Sequence, residues 1–192
     1  MNEYYKGYMG KGTLEVPKSY ISIVQKSIVK MDTEIIVNAA NRWLQAGGGV
    51  CGAIFQAAGS RKLQKACNDI GLCPTGSAVI TPGFDLCKYI IHAVGPEYRD
   101  GRHCEAILLY NSYKNSLNLA KEYGCHTIAF PLISAGIYGY PVQKAWRKAL
   151  QAVSEWIKAN EGYKMVVTFA VLDDNVLDTG LDTAEELGIK LF

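Results

Sequence analysis

Three stretches of this chain are apolar at nearly every position: EIIVNA at 34–39, TIAFPLI at 127–133 and MVVTFAVL at 165–172. A strand with one wet face alternates apolar and polar residues, whereas a strand covered on both faces reads as a continuous apolar run. Runs of this kind demand a sheet held between two other layers, and the segments between them supply the covering. Residues 142–159 place Ala145, Trp146, Ala149, Leu150, Val153, Trp156 and Ile157 on one helical stripe. Residues 104–123 carry Ile107, Leu108, Tyr110, Leu117 and Ala120 at helical spacings, with Gly124 placed to cap the end. Residues 50–71 read as one helix that turns the small residues of AIFQAAG toward the sheet, and a short last helix is expected over 183–188. Further strands are read at YISIVQ (20–25), SAVITP (77–82) and YIIHAV (89–94), with a Pro-Gly turn after the second of these. Strands alternating with long helices predict an α/β sandwich with a mainly parallel sheet.

A length of 192 residues suits one domain, and 49% apolar with 20% charged residues is a globular balance. The first 18 residues hold three tyrosines without periodicity and read as an N-terminal arm, leaving 19–192 as the folded domain. A formal net charge of +2 gives little field for holding a phosphate polymer, which argues against nucleic acid as the partner. The six cysteines form no CxxC pair, and His103-Cys104 and Cys125-His126 lack the spacing of zinc ligands, so no metal is expected. No apolar run reaches the ~20 residues that span a membrane, and the first residues do not resemble a signal peptide. A reduced, cytoplasmic protein without a membrane partner is the expectation.

In sheets of this type, ligands bind where loops leave the C-terminal ends of strands. Two loops there are unlike core sequence: NAANRWLQAGGGVCGAIFQAAG (38–59) after one central run, and SAGIYGYP (134–141) after another. Gly47, Gly49 and Gly52 match G-x-G-x-x-G in form, but eight residues, 39–46, intervene where a dinucleotide fold has none. No P-loop pattern exists either. The backbone physics stands without those motifs. Glycines ahead of a helix let N–H groups approach an anion at the positive end of the helix dipole. The second loop has two glycines, an aromatic wall in Tyr138, and Pro141 at a helix entry. Two facing cradles suit a pyrophosphate.

The segments NAAN, GGGV-x-GAI, CPTGSAVITPG, IIHAVGP and IAFPLISAGIYGYP, in this order over residues 20–172, resemble the macrodomain family. The closer likeness is to its branch of ADP-ribosyl hydrolases and O-acetyl-ADP-ribose deacetylases. The resemblance implies a three-layer α/β/α sandwich around a mixed, mostly parallel sheet of about six strands. It also implies a cleft for ADP-ribose or a close derivative, with the pyrophosphate between the two glycine loops. By that mapping Gly48, Gly49, Val50 and Gly52 line one side, and Ser134, Ala135, Gly136, Ile137 and Tyr138 the other. Asn41 approaches the distal ribose, and Asn38 of the same motif joins the binding set. The partner implied is free ADP-ribose or an ADP-ribosylated protein, with no cofactor.

This chain departs from the family pattern at both ends of the cleft. After GGGV the hydrolytic branch usually carries an aspartate that orients water; here the residue is Cys51, and Asn41 and Cys51 remain as the catalytic candidates. A thiol is a poor water-orienting base, so hydrolysis by that route should be weakened. Three readings of Cys51 stay open: a small packed residue, the mark of a binding module that has lost its acid, or a thiolate activated by the helix N-terminus. The third would make Cys51 the centre of a different enzyme or a redox-responsive site on another phosphate or ribose ligand. An RNA-binding module is a further alternative, disfavoured by charge. At the adenine end the family commonly has Asp-Ile; here Ser27 and Ile28 occupy those positions, and a neutral acceptor gives a weaker bond to the amino group. The aromatic that often flanks adenine aligns with Leu172, and Phe169 takes its place only if the register differs.

Overall fold

The computed structural model describes residues 18–192, so residues 1–17 of the expected arm lie outside the described residues. Six strands form one sheet: β1 (Tyr20–Gln25), β2 (Ile35–Ala39), β3 (Ala78–Pro82), β4 (Tyr89–Ala93), β5 (Thr127–Phe130) and β6 (Val166–Val171). Their order is β1-β6-β5-β2-β4-β3, parallel throughout except where β3 pairs antiparallel with β4. Five helices cover it: α1 (Gly49–Ala58), α2 (Ser60–Ile70), α3 (Glu105–Glu122), α4 (Val142–Ala159) and α5 (Asp174–Glu186). The mixed, mostly parallel α/β architecture read from the sequence is the one observed.

The continuous apolar runs have the expected cause. Along β2, Ile35 and Val37 join one buried cluster while Ile36 joins a second on the opposite face. The first cluster packs β2, β4, β5 and β6 against α3, α4 and α5, around Tyr113, Phe130, Trp146 and Phe169. The second packs the other face against α1 and α2 through Ile54, Phe55, Leu63 and Cys67. Each large side chain removed from water here contributes roughly 1.5–3 kcal/mol. Phe169 lies fully buried, its ring 5.1 Å from that of Trp146, which removes it as a wall for any ligand.

Two helix expectations are corrected. The single helix over 50–71 is two helices, broken at Gly59, whose φ of 91° ends α1 in the left-handed region. The last helix begins at Asp174, well before 183. Asp173 caps it by accepting a hydrogen bond from Val176 N at 3.0 Å, an N-cap that the polar run DDNVLD conceals. Gly180 inside α5 has a packing reason, since a Cβ there would lie 2.7 Å from the Trp146 indole.

Candidate functional site

β2 and β5 are adjacent parallel strands whose chains leave the sheet toward opposite faces, β2 into α1 and β5 into α4. Connections that part in this way open a crevice at the C-terminal strand ends. A cavity of about 200 Å³ occupies it, walled by Asn41, Gly47, Gly48, Gly49, Val50 and Cys51 on one side and Ser134, Gly136, Ile137 and Tyr138 on the other. The two loops face closely: a Cβ on Gly48 would lie 3.9 Å from Ile137 Cδ1. A larger, more open groove of about 360 Å³ lies at the other end of the sheet, between the start of β1, α4 and the C-terminal residues. It has neither glycine loop.

The first loop presents bare backbone. Gly48 is the N-cap of α1 and no side chain caps the helix, while Gly49 adopts a φ of 59°. The N–H groups of Gly49, Val50 and Cys51 have no acceptor among the described residues. They belong to the first turn of a helix, where geometry leaves N–H groups unpaired and the dipole favours an anion. Gly52 is required for a second reason: a Cβ there would meet the Gly47 carbonyl oxygen at 2.6 Å. Cys51 is 6% exposed, belongs to the cluster under α1, and its Sγ lies 3.9 Å from the Gln45 carbonyl oxygen.

The second loop repeats the arrangement. It is closed by Gly139 N to Gly136 O at 2.9 Å and Tyr140 N to Ser134 O at 2.9 Å. The N–H groups of Gly136, Ile137 and Tyr138 find no acceptor among the described residues. Ser134 holds a φ of 66°, and its Oγ is buried without a hydrogen-bond partner among the described residues. A buried hydroxyl left unpaired costs about 1–3 kcal/mol, a cost that a bound water or a ligand oxygen in the cavity would relieve. Gly95 is needed where the loop after β4 crosses here, because a Cβ on it would be 2.2 Å from Ser134 Oγ. Burial, then Glu97 and Cys51 nearby, push the Tyr138 phenol above its ordinary range, so it stays protonated at neutral pH.

Among the sequence candidates, Asn41, Gly48, Gly49, Val50, Cys51, Ser134, Gly136, Ile137 and Tyr138 meet at the cavity. Gly52 and Ala135 are not among its lining residues. Asn38 faces away into the core, where its amide donates toward His92 Nδ1 at 3.2 Å and its Oδ1 has no partner among the described residues. His92 also contacts Thr81 Oγ1 at 3.0 Å, and burial lowers its pKa to about 4, so the imidazole is neutral. The Asn41 side chain is occupied within its own loop, its Oδ1 accepting from Trp43 N and Gln45 N and its Nδ2 donating to Gln45 O. Ser27, Ile28 and Leu172 do not line the cavity; Ile28 is buried and Leu172 is 71% exposed. Sequence reasoning missed Gly95, Ala39, Ala40, Leu132 and Ile133 in the lining. The Gly-Pro pair at 95–96 was the available signal for the first of them.

The family model described as Macro domain matches residues 37–149. The chain belongs to the Macro domain family. A Macro domain-containing protein of Chlorobaculum tepidum is 47% identical over 159 residues, covering 82% of this chain and 91% of the relative. One from Lactiplantibacillus plantarum is 46% identical over 165 residues, covering 84% and 95%. Among solved structures, the Oceanobacillus iheyensis macrodomain with ADP superposes with a TM-score of 0.84 at 36% identity, covering 90% of this chain and 93% of that one. The Trypanosoma brucei macrodomain in complex with ADP-ribose gives 0.78 at 32% identity, covering 85% and 68%. The macrodomain likeness thus includes the loops after β2 and β5. No helix among the described residues of this macrodomain is long and apolar enough to cross a membrane.

Proposed function

We propose that this macrodomain binds ADP-ribose or a close derivative, with the diphosphate between the two glycine loops and the distal ribose toward Asn41 and Cys51. The observation that carries the reading is the pair of facing cradles. The unpaired N–H groups of Gly49, Val50 and Cys51 confront those of Gly136, Ile137 and Tyr138 across one cavity. Donors fixed by a folded backbone need no reorganisation to receive an anion, and among the described residues no cationic side chain lines the wall to do it instead. The ADP and ADP-ribose held by related macrodomains support the choice of ligand.

Binding is favoured over rapid hydrolysis. None of the described residues lining the cavity carries a carboxylate or an imidazole. Among the described residues that line it, Cys51 and Tyr138 are the titratable ones, and neither a thiol nor a phenol supplies the carboxylate that would orient and deprotonate water there. Cleavage of ADP-ribose esters, or of acetyl from O-acetyl-ADP-ribose, is therefore slow in the wild type.

The test is thermal unfolding with and without ADP-ribose. A ligand at a hundred times its dissociation constant adds about 2.7 kcal/mol, a rise of several degrees for a domain of this size. An unchanged midpoint at millimolar ADP-ribose would refute the reading.

A further inference from the structure

The loop between Asn41 and Gly47 carries more structure than a connection needs. Asn41 Oδ1 accepts from Trp43 N and Gln45 N, each at 3.1 Å, and Asn41 Nδ2 donates to Gln45 O at 2.8 Å. Gln64 on α2 reaches up to the same loop, accepting from Ala46 N at 2.9 Å and donating to Leu44 O at 3.2 Å. Asn68, one turn further along α2, accepts from both Gln64 and Gln45. Leu44 anchors the centre, buried and at a φ of 55°, and Cys73 N donates to Arg42 O at 2.9 Å.

What this scaffold holds up is a pair of side chains with no use inside the fold. Trp43 is 61% exposed. The other two tryptophans are buried and donate from Nε1, Trp146 to Val176 O and Trp156 to Asn118 Oδ1, whereas Trp43 Nε1 has no acceptor among the described residues. The Arg42 guanidinium lies 5.4 Å from the Trp43 ring centroid and has no carboxylate partner among the described residues. Both residues immediately follow Asn41, which lines the cavity, yet neither lines it themselves.

We propose that Arg42 and Trp43 form a docking platform for the polypeptide that carries an ADP-ribosyl group, and that the segment they take is acidic. The inference rests on the reading of the cavity as an ADP-ribose site with the distal ribose toward Asn41. The acceptor chain then leaves the cavity beside this pair. Chemistry selects the occupant. A free guanidinium offers a two-pronged grip on a carboxylate, the indole N–H adds a donor, and the indole face is a flat apolar wall for peptide backbone. An exposed Trp–Arg pair on a rigid loop is the composition that dominates interface energetics, and rigidity lowers the entropy lost on docking.

The experiment compares three probes by calorimetry: free ADP-ribose, a non-hydrolysable ADP-ribose conjugate of a glutamate-rich peptide, and an ADP-ribose conjugate of a short oligonucleotide. The wild type should bind the peptide conjugate at least about tenfold more tightly than free ADP-ribose. Trp43→Ala and Arg42→Ala should each remove most of that gain while leaving free ADP-ribose affinity within about twofold. Arg42→Lys should recover only part of it, since an ammonium cannot make the two-pronged contact. Equal affinity of the wild type for free ADP-ribose and peptide conjugate overturns the platform. So does a parallel loss for all probes in the variants, which would make the pair a structural part of the loop, or a preference for the oligonucleotide conjugate. Failure of the wild type to bind any probe would instead refute the cavity reading beneath it.

Discussion

Cys51→Asp tests whether a missing carboxylate is what separates this chain from a fast hydrolase. Position 51 is the third residue of α1, a helix with no acid in its first turn and no side-chain cap. A carboxylate there gains about 0.3–1 kcal/mol from the helix N-terminus. Against this, the thiol's contact with the Gln45 carbonyl, 3.9 Å away, becomes an approach of two oxygen acceptors. Taking a carboxylate out of water at a position only 6% exposed costs more than the dipole returns, so the variant should be less stable by about 1–3 kcal/mol and melt several degrees below the wild type. Rate is another matter. A positioned general base contributes about 10²–10⁴-fold, and no lining residue of the wild type supplies one. The assay is release of ADP-ribose from a protein ADP-ribosylated on glutamate, with acetate release from O-acetyl-ADP-ribose beside it. Cys51→Asp should accelerate at least one by about 10²-fold or more, while Cys51→Asn, isosteric but unable to take a proton, should not. A Cys51→Asp variant that is folded at the assay temperature, binds ADP-ribose normally and turns over no faster would refute the reasoning.

Three further outcomes are expected. Gly52→Ala places its Cβ 2.6 Å from the Gly47 carbonyl oxygen, so the first loop must shift; ADP-ribose affinity should fall at least about tenfold by calorimetry. Ser134→Ala removes an unpartnered buried hydroxyl, so the free protein should be no less stable to urea, while ADP-ribose binding weakens by about 0.5–1.5 kcal/mol. Urea stability should also depend on pH through His92, whose pKa burial depresses from 6.5 to about 4. Between those values the unfolded chain binds more protons than the folded one, so this contribution is complete above pH ~6.5 and is lost as pH falls toward ~4, with a slope of up to about 1.4 kcal/mol per unit. His92→Gln should flatten that slope.

The layers were legible because two-sided burial leaves a direct trace. Residues 34–39 and 165–172 are apolar at successive positions only because each face of the sheet has its own core. The two glycine loops were legible for the opposite reason, since glycine and amide residues have no place in a core. What escaped was long-range. That Gln64 and Asn68 hold the loop around Trp43 depends on where α2 turns at Gly59, and helical periodicity runs through that break unchanged. The hydrogen bonds of Asn41 to Trp43 and Gln45 were hidden likewise, because the letter of an amide does not show that it also closes its own turn. Gly95 enters the wall from a loop after β4 that is distant in sequence, and only the close approach to Ser134 shows why it carries no side chain.

The most direct test is a calorimetric titration of ADP-ribose into the wild type and into Gly136→Glu. Nothing lies within 4 Å of a Cβ built on Gly136, and its φ is not in the left-handed region, so glutamate enters open space at the cavity wall without disturbing the fold. A carboxylate brought within ~4 Å of a bound diphosphate is repelled, at an effective dielectric of about 20, by roughly 4 kcal/mol, more than about a hundredfold in affinity. The account predicts saturable binding by the wild type and none in the same range by a variant that melts at the same temperature. Equal binding by both proteins, or no heat from the wild type, would contradict it.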